Sequence, residues 1–180
     1  MSGHSKWANI KRKKEVTDAK RGKIFSKISR LITVAAKNGP DVDSNPSLRL
    51  AVEKAKEERM PKENIERAIA KGSGQGGGVT FQEIILEGFG PNGEAFYITA
   101  LTDNHNRTVG EIRNIFHKAG GSMGGAGSTA YIFADPENPV FTLDITDESL
   151  ATRLENLYEE IEDNDDVQEI LINFVLPEQE

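Results

Sequence analysis

Apolar residues recur at helical spacing through the first third of the chain. Ile24, Ile28, Leu31, Ile32, Ala35 and Ala36 share one face, and Asn38-Gly39-Pro40 ends the run. Asn45 followed by Pro46 reads as an N-cap and a first-turn proline, opening a second helix with Leu48, Ala51, Val52 and Ala55 on its apolar side. Pro61 restarts the period for Ile65, Ala68 and Ile69, with Gly72 expected as a left-handed cap. Three short amphipathic helices with modest apolar side chains are predicted, packed as a small bundle.

The period then changes. Residues 81–89 and 94–101 read as strands joined by Gly90-Pro91-Asn92-Gly93, a strong turn signal. Thr108 with Glu111 has the form of a capping box, followed by Val109, Ile112, Ile115, Phe116 and Ala119 at helix spacing. Residues 128–133 read as a strand, Asp135-Pro136-Glu137-Asn138-Pro139 as a turn, and 140–145 as another strand. Thr146 opens a helix bearing Leu150, Leu154, Leu157, Tyr158 and Ile161, and 167–175 closes as a strand. From residue 94 the order is β-α-β-β-α-β, the split βαβ or ferredoxin-like arrangement, with one strand hairpinned in front. The expected fold class is α+β: an N-terminal three-helix lobe, then a ferredoxin-like α/β lobe with an extra N-terminal strand.

Between the two patterns lies Gly72-Ser-Gly-Gln-Gly-Gly-Gly78. It lacks both the Gly-Lys-Ser/Thr ending and the strand-to-helix context of a phosphate loop, so it reads as a hinge. The expected organisation is a basic helical nucleic-acid-binding lobe over 1–72, a hinge over 73–80 and an acidic lobe over 81–180. A second glycine-rich run, 120–127, reads as an αβ turn where backbone packs closely.

Charge sharpens this division. Residues 1–37 hold 11 Lys/Arg against 2 acids, net +9, while the whole chain is −7, leaving −16 on residues 38–180. Solubility gives no reason to gather cations at one end of an acidic protein. Such polarity makes one surface that attracts polyanions and a body that repels them. Residues 3–14 place Lys6, Lys11, Arg12, Lys13 and Lys14 around Trp7. Cations on such an arm release counterions from phosphates, and the indole is either a stacking platform or part of the bundle core. Lys20, Lys23, Lys27 and Arg30 fall at i, i+3, i+7 and i+10, one stripe along a helix, with Arg21 beside it. A charged helix face is ordinarily just a solvated one, but here every member is positive. Arg107, in the polar segment 103–108 ahead of a helix, is a secondary candidate, since a helix N-terminus can bind an anion. A simple capped turn explains that segment as well.

Other chemistries have little support. There are no cysteines, so disulfides, thiolate metal sites and cysteine nucleophiles are excluded. His4, His105 and His117 lack ligand spacing, no serine sits in a nucleophile elbow, and the acids at 159–166 read as a solvated helix end. No enzyme activity, metal or cofactor is expected. The apolar run 31–36 is too short for a membrane span or a secretory core, so the cytoplasm is the expected location.

The motifs GHSKWANIKRKK at 3–14, DAKRGKIFSK at 18–27, MPKENIERAI at 60–69, DNHNRTVGEIR at 103–113 and DDVQEI at 165–170 resemble those of the YebC/PmpR family. That family includes the mitochondrial translational activator of cytochrome oxidase subunit one. The resemblance covers nearly the whole chain. It implies a helical N-terminal lobe, α/β lobes, no known enzymatic activity, and a role either as a DNA-binding transcriptional regulator or as a ribosome-associated factor. Family members usually carry a third lobe inserted after the strand matching 128–133. Here a five-residue turn leads straight to Val140, so that lobe is expected to be missing.

Two features favour ribosomal or transfer RNA over duplex DNA as the expected partner. The cations sit on an arm and one helix face, which suits the phosphates of folded RNA. The second helix of the possible helix-turn-helix at 46–71 offsets Lys62, Arg67 and Lys71 with Glu63 and Glu66. No membrane or small-molecule partner is expected, and a monomer is.

Overall fold

The computed structural model describes residues 18–75, 77 and 80–177. The expected fold class holds: an N-terminal helical region is followed by a sheet-containing α/β region. The described residues form two compact units. One runs from residue 18 to Glu83 and includes Leu101–Asp103; the other comprises Ile84–Ala100 and residues 104–177. Gly76, Gly78 and Val79, part of the expected hinge, lie outside the described residues.

The helical unit contains α1 (Asp18–Ala35) with a 3-10 turn at Ala36–Asn38, α2 (Pro46–Glu57) and α3 (Lys62–Gly72). Its core is the expected set, with Ile28, Ile32, Leu48, Val52, Ala55, Ile65 and Ala68 buried and Met60 added. Asn45 ties the first turn of α2 to the end of α1. Its Oδ1 accepts from Leu48 N (3.1 Å), and its Nδ2 donates to Ala35 O and Gly39 O (2.8 Å each). One buried amide thus satisfies three backbone groups that the helix ends leave open.

Gly72 is not the left-handed cap. That role falls to Gly74 (φ 91°), where Gly74 N donates to Lys71 O and Gln75 N to Ala70 O, closing the helix. Gly72 is instead the contact point of α3 on α1, where a Cβ would run into Thr33 O and stand 2.7 Å from Ala36 Cβ. Both obstacles belong to a packed helix, so Gly72→Ala must push the two helices apart. The expected cost is about 1–3 kcal/mol, measured by urea denaturation.

In the second unit, β1 (Gln82–Phe89) and β2 (Ala95–Thr102) form the predicted hairpin, its turn closed by Gly90 N donating to Glu94 O (2.7 Å). After them come α4 (His105–Lys118), β3 (Ser122–Met123), a 3-10 turn at Ala130–Phe133, β4 (Leu143–Asp144), α5 (Glu148–Glu162), β5 (Val167–Ile172) and β6 (Phe174–Val175). The sheet order is β3-β1-β2-β5, with β2 and β5 antiparallel in the register Phe96↔Ile172 to Ala100↔Val167. Strands β4 and β6 pair separately and in parallel.

Several local expectations change within this unit. The strand expected over 140–145 is only Leu143–Asp144 and pairs with β6 outside the main sheet, the one expected over 167–175 divides into β5 and β6, and α5 takes Asp147, not Thr146, as its N-cap, with Asp147 Oδ1 accepting from Leu150 N. Residues 128–133 are not a strand: Ala130–Phe133 is a 3-10 turn, and the place beside β2 that a ferredoxin-like order would give to a strand from this region belongs to β1. The cause is Glu87. Its buried carboxylate takes the N–H groups of Gly127, Thr129 and Ala130, so those donors cannot join a ladder. The strand that follows α4 is instead the short edge strand β3, reached through Gly121, whose missing Cβ lets it lie against Phe89 O. The cap of α4 also differs. Asn104, not Thr108, is the N-cap, its Oδ1 accepting from Arg107 N (3.1 Å), and Thr108 is buried inside the first turn.

Alternation along β2 divides the core. Phe96 and Ile98 face α4 and α5, among Ile112, Phe116, Leu154, Leu157 and Ile161, while Ala95 and Tyr97 face Ile132, Phe133 and Leu171. Phe96 meets Phe116 edge to face with centroids 5.4 Å apart.

Candidate nucleic-acid interface

The described part of the interface is α1. Its apolar residues are needed inside the bundle, so its remaining faces must carry the cations. Lys20, Arg21, Lys23, Lys27 and Arg30 all lie on this helix. Lys20 and Arg21 are exposed, and Lys23, Lys27 and Arg30 are half-buried. Arg21 stands 3.7 Å from Asp18, one turn away and fully exposed, a pairing that contributes little in water. Lys6, Trp7, Lys11, Arg12, Lys13 and Lys14 lie outside the described residues, as does His4.

Arg30 has a structural task. Its Nη1 donates to Leu101 O (3.0 Å), and its guanidinium lies 5.0 Å from the centroid of the Phe81 ring. Two further cations gather there. Lys37 Nζ donates to Phe81 O (3.1 Å), and Lys71 Nζ lies 5.6 Å from the same ring. Phe81 therefore draws three positive groups together through its carbonyl and its π face. Lys37 and Lys71 were absent from the sequence-based site. Lys37 follows Arg30 by seven residues and so continues the stripe, a signal that was there to be read. Lys71 reaches the group only because Gly72 lets α3 approach α1 closely.

On α3, Lys62 pairs with Glu66 one turn along, at 3.5 Å. Arg107 is tied to Asp166, Nη2 to Oδ2 at 2.9 Å, and Thr108 Oγ1 donates to the same oxygen at 2.5 Å. With Asn104 on its backbone N–H, this segment is a capped turn, and its cation faces a buried carboxylate. Asp166 is therefore not one of the solvated acids at the helix end; it is 2 % exposed. Among the described residues, no three His, Asp or Glu side chains are placed to hold a metal ion. No helix among them is long and apolar enough to cross a membrane.

Comparison with known proteins agrees with the motifs. Residues 5–75 match the TACO1/YebC protein N-terminal domain, and residues 81–137 match the TACO1/YebC second and third domain. A probable transcriptional regulatory protein of Geobacter sulfurreducens is 50 % identical over 173 residues, covering 95 % of this chain and 70 % of the relative. Another of that description, from Persephonella marina, is 38 % identical over 244 residues, covering 99 % of this chain and 98 % of the relative. That alignment is longer than the 180 residues of this chain, so the relative has sequence with no counterpart here. The crystal structure of a conserved hypothetical protein from Aquifex aeolicus superposes with a TM-score of 0.83 at 33 % identity, covering 92 % of this chain and 95 % of that one. With both domain models matched and half of the residues shared across nearly the full chain, this protein belongs to the TACO1/YebC family.

Proposed function

We propose that this chain is a non-enzymatic, nucleic-acid-binding regulator of gene expression that works on the ribosome, gripping ribosomal or transfer RNA phosphates with its N-terminal arm and α1. The observation that carries the reading is the segregation of charge: +9 over residues 1–37 and −16 over the rest, with Lys20, Lys23 and Lys27 in one stripe on α1. In this reading residues 1–72 are the binding lobe, 73–80 the hinge and 81–180 an acidic frame that discourages contact with the polymer elsewhere. Lys6, Lys11, Arg12, Lys13 and Lys14 neutralise phosphates, Trp7 stacks on an exposed base, and the protein acts as a cytoplasmic monomer.

A second reading is favoured by the relatives, which are named probable transcriptional regulatory proteins: the same cations would hold duplex DNA. Cross-linking the protein in cells and sequencing the attached nucleic acid separates the two. The first reading expects ribosomal and transfer RNA to dominate; enrichment of promoter DNA without ribosomal RNA would replace it with the second.

A further inference from the structure

The α/β unit carries its few cations in one place. Residues 73–180 contain 20 acids and four Lys/Arg: Arg107, Arg113, Lys118 and Arg153. The first three are on α4, and Arg153 Nη2 donates to Ala119 O (3.1 Å) where that helix ends. Arg107 is engaged by Asp166. Arg113, His117 and Lys118 are exposed, and among the described residues their side chains make no hydrogen bond or ion pair. Arg113 and His117, one turn apart, face the same way. The exposed strip around them carries Asn106, Gly110 and Asn114; the nearby acid Glu111 is occupied by Asn164 Nδ2 at 2.8 Å.

Placement in the last turn of α4 accounts for His117 and Lys118 through the helix dipole. It does not account for Arg113, which sits earlier and whose side chain has no partner among the described residues, although acids outnumber cations five to one over residues 73–180. Beside Arg113 and His117 is an open cleft of about 240 Å³, completed by Gly121, Ser122 and Met123. That is room for about eight waters, enough for a phosphate and part of its sugar. One guanidinium and one imidazole at helix spacing, with a serine beside them, line one cleft and form a donor set suited to phosphate oxygens, with the guanidinium able to bind two at once.

We infer that this face of α4 is a second phosphate-binding site, taking a backbone phosphate of the nucleic acid. The inference rests on the proposed function and adds a contact on the acidic unit. The test is binding of the full chain to a ribosomal RNA hairpin across 50–200 mM salt, comparing the parent with R113A/H117A and with an arm variant, K11A/R12A/K13A/K14A. The expected results for R113A/H117A are a log–log salt slope shallower by about one and an affinity about tenfold lower at 100 mM salt, with an unchanged circular dichroism spectrum. A slope equal to the parent's overturns the inference, even if a mononucleotide still perturbs the Arg113 side-chain resonance. The arm variant keeps the two ideas apart. If its slope flattens while that of R113A/H117A does not, the site on α4 is wrong and the N-terminal grip stands. If only R113A/H117A flattens, the reverse holds.

Discussion

Replacing Glu87 by glutamine should destabilise the α/β unit by about 2–3 kcal/mol, because hydrogen bonds to a buried charged group are among the stronger ones and orphaned donors are costly. The carboxylate is 5 % exposed. One oxygen accepts from Thr129 N (2.5 Å), Thr129 Oγ1 (2.9 Å) and Ala130 N (2.8 Å), and the other from Gly127 N (2.6 Å). Glutamine keeps one of these oxygens and turns an NH₂ toward N–H groups that need an acceptor. Burial by itself raises the pKa of Glu87, but the donors outweigh it and hold the group below its ordinary value. A depressed folded pKa contributes stability that is complete above the unfolded carboxyl's value, about 4.3, and is lost as pH falls through the lower folded one. Urea denaturation at neutral pH should therefore show the full deficit, and the variant's stability should fall less steeply than the parent's below pH 4. Equal stability of the two proteins at neutral pH would mean that the loop of residues 124–130 satisfies its donors without this carboxylate.

Changing Lys11, Arg12, Lys13 and Lys14 to alanine should lower RNA affinity by up to about 4 × 10³-fold at 100 mM salt. Each phosphate contact contributes roughly 0.9 log units there, and four are removed. The helical unit should melt as before, since its core is Ile28, Ile32, Leu48, Val52 and their neighbours on α1 to α3. Comparable affinity at unchanged thermal stability would show that the arm is a solvated tail.

Features set by neighbours in sequence were legible from the residues. Asn45-Pro46 marks the start of α2 because both act within one turn, and the stripe of Lys20, Lys23, Lys27 and Arg30 follows from helical geometry alone. What escaped depends on partners far along the chain. Thr108 has the chemistry of a cap, but Asp166, 58 residues later, takes its hydroxyl, while Asn104 caps the helix. The alternation of residues 128–133 suits a strand until Glu87, some forty residues earlier, removes two of the donors a ladder would need, Thr129 N and Ala130 N. Gly72 looked like a terminator, and its purpose is contact with Thr33 on another helix. The convergence of Arg30, Lys37 and Lys71 on Phe81 likewise exists only after α3 has packed on α1.

The most direct measurement is the dependence of the unmodified chain's RNA affinity on salt. If the N-terminal cations displace counterions from roughly six to eight phosphates, binding must weaken by about 10³-fold or more between 50 and 200 mM salt. An affinity that stays level over that range would contradict the account, because no grip built from lysine and arginine on phosphate can ignore the ions that compete for it.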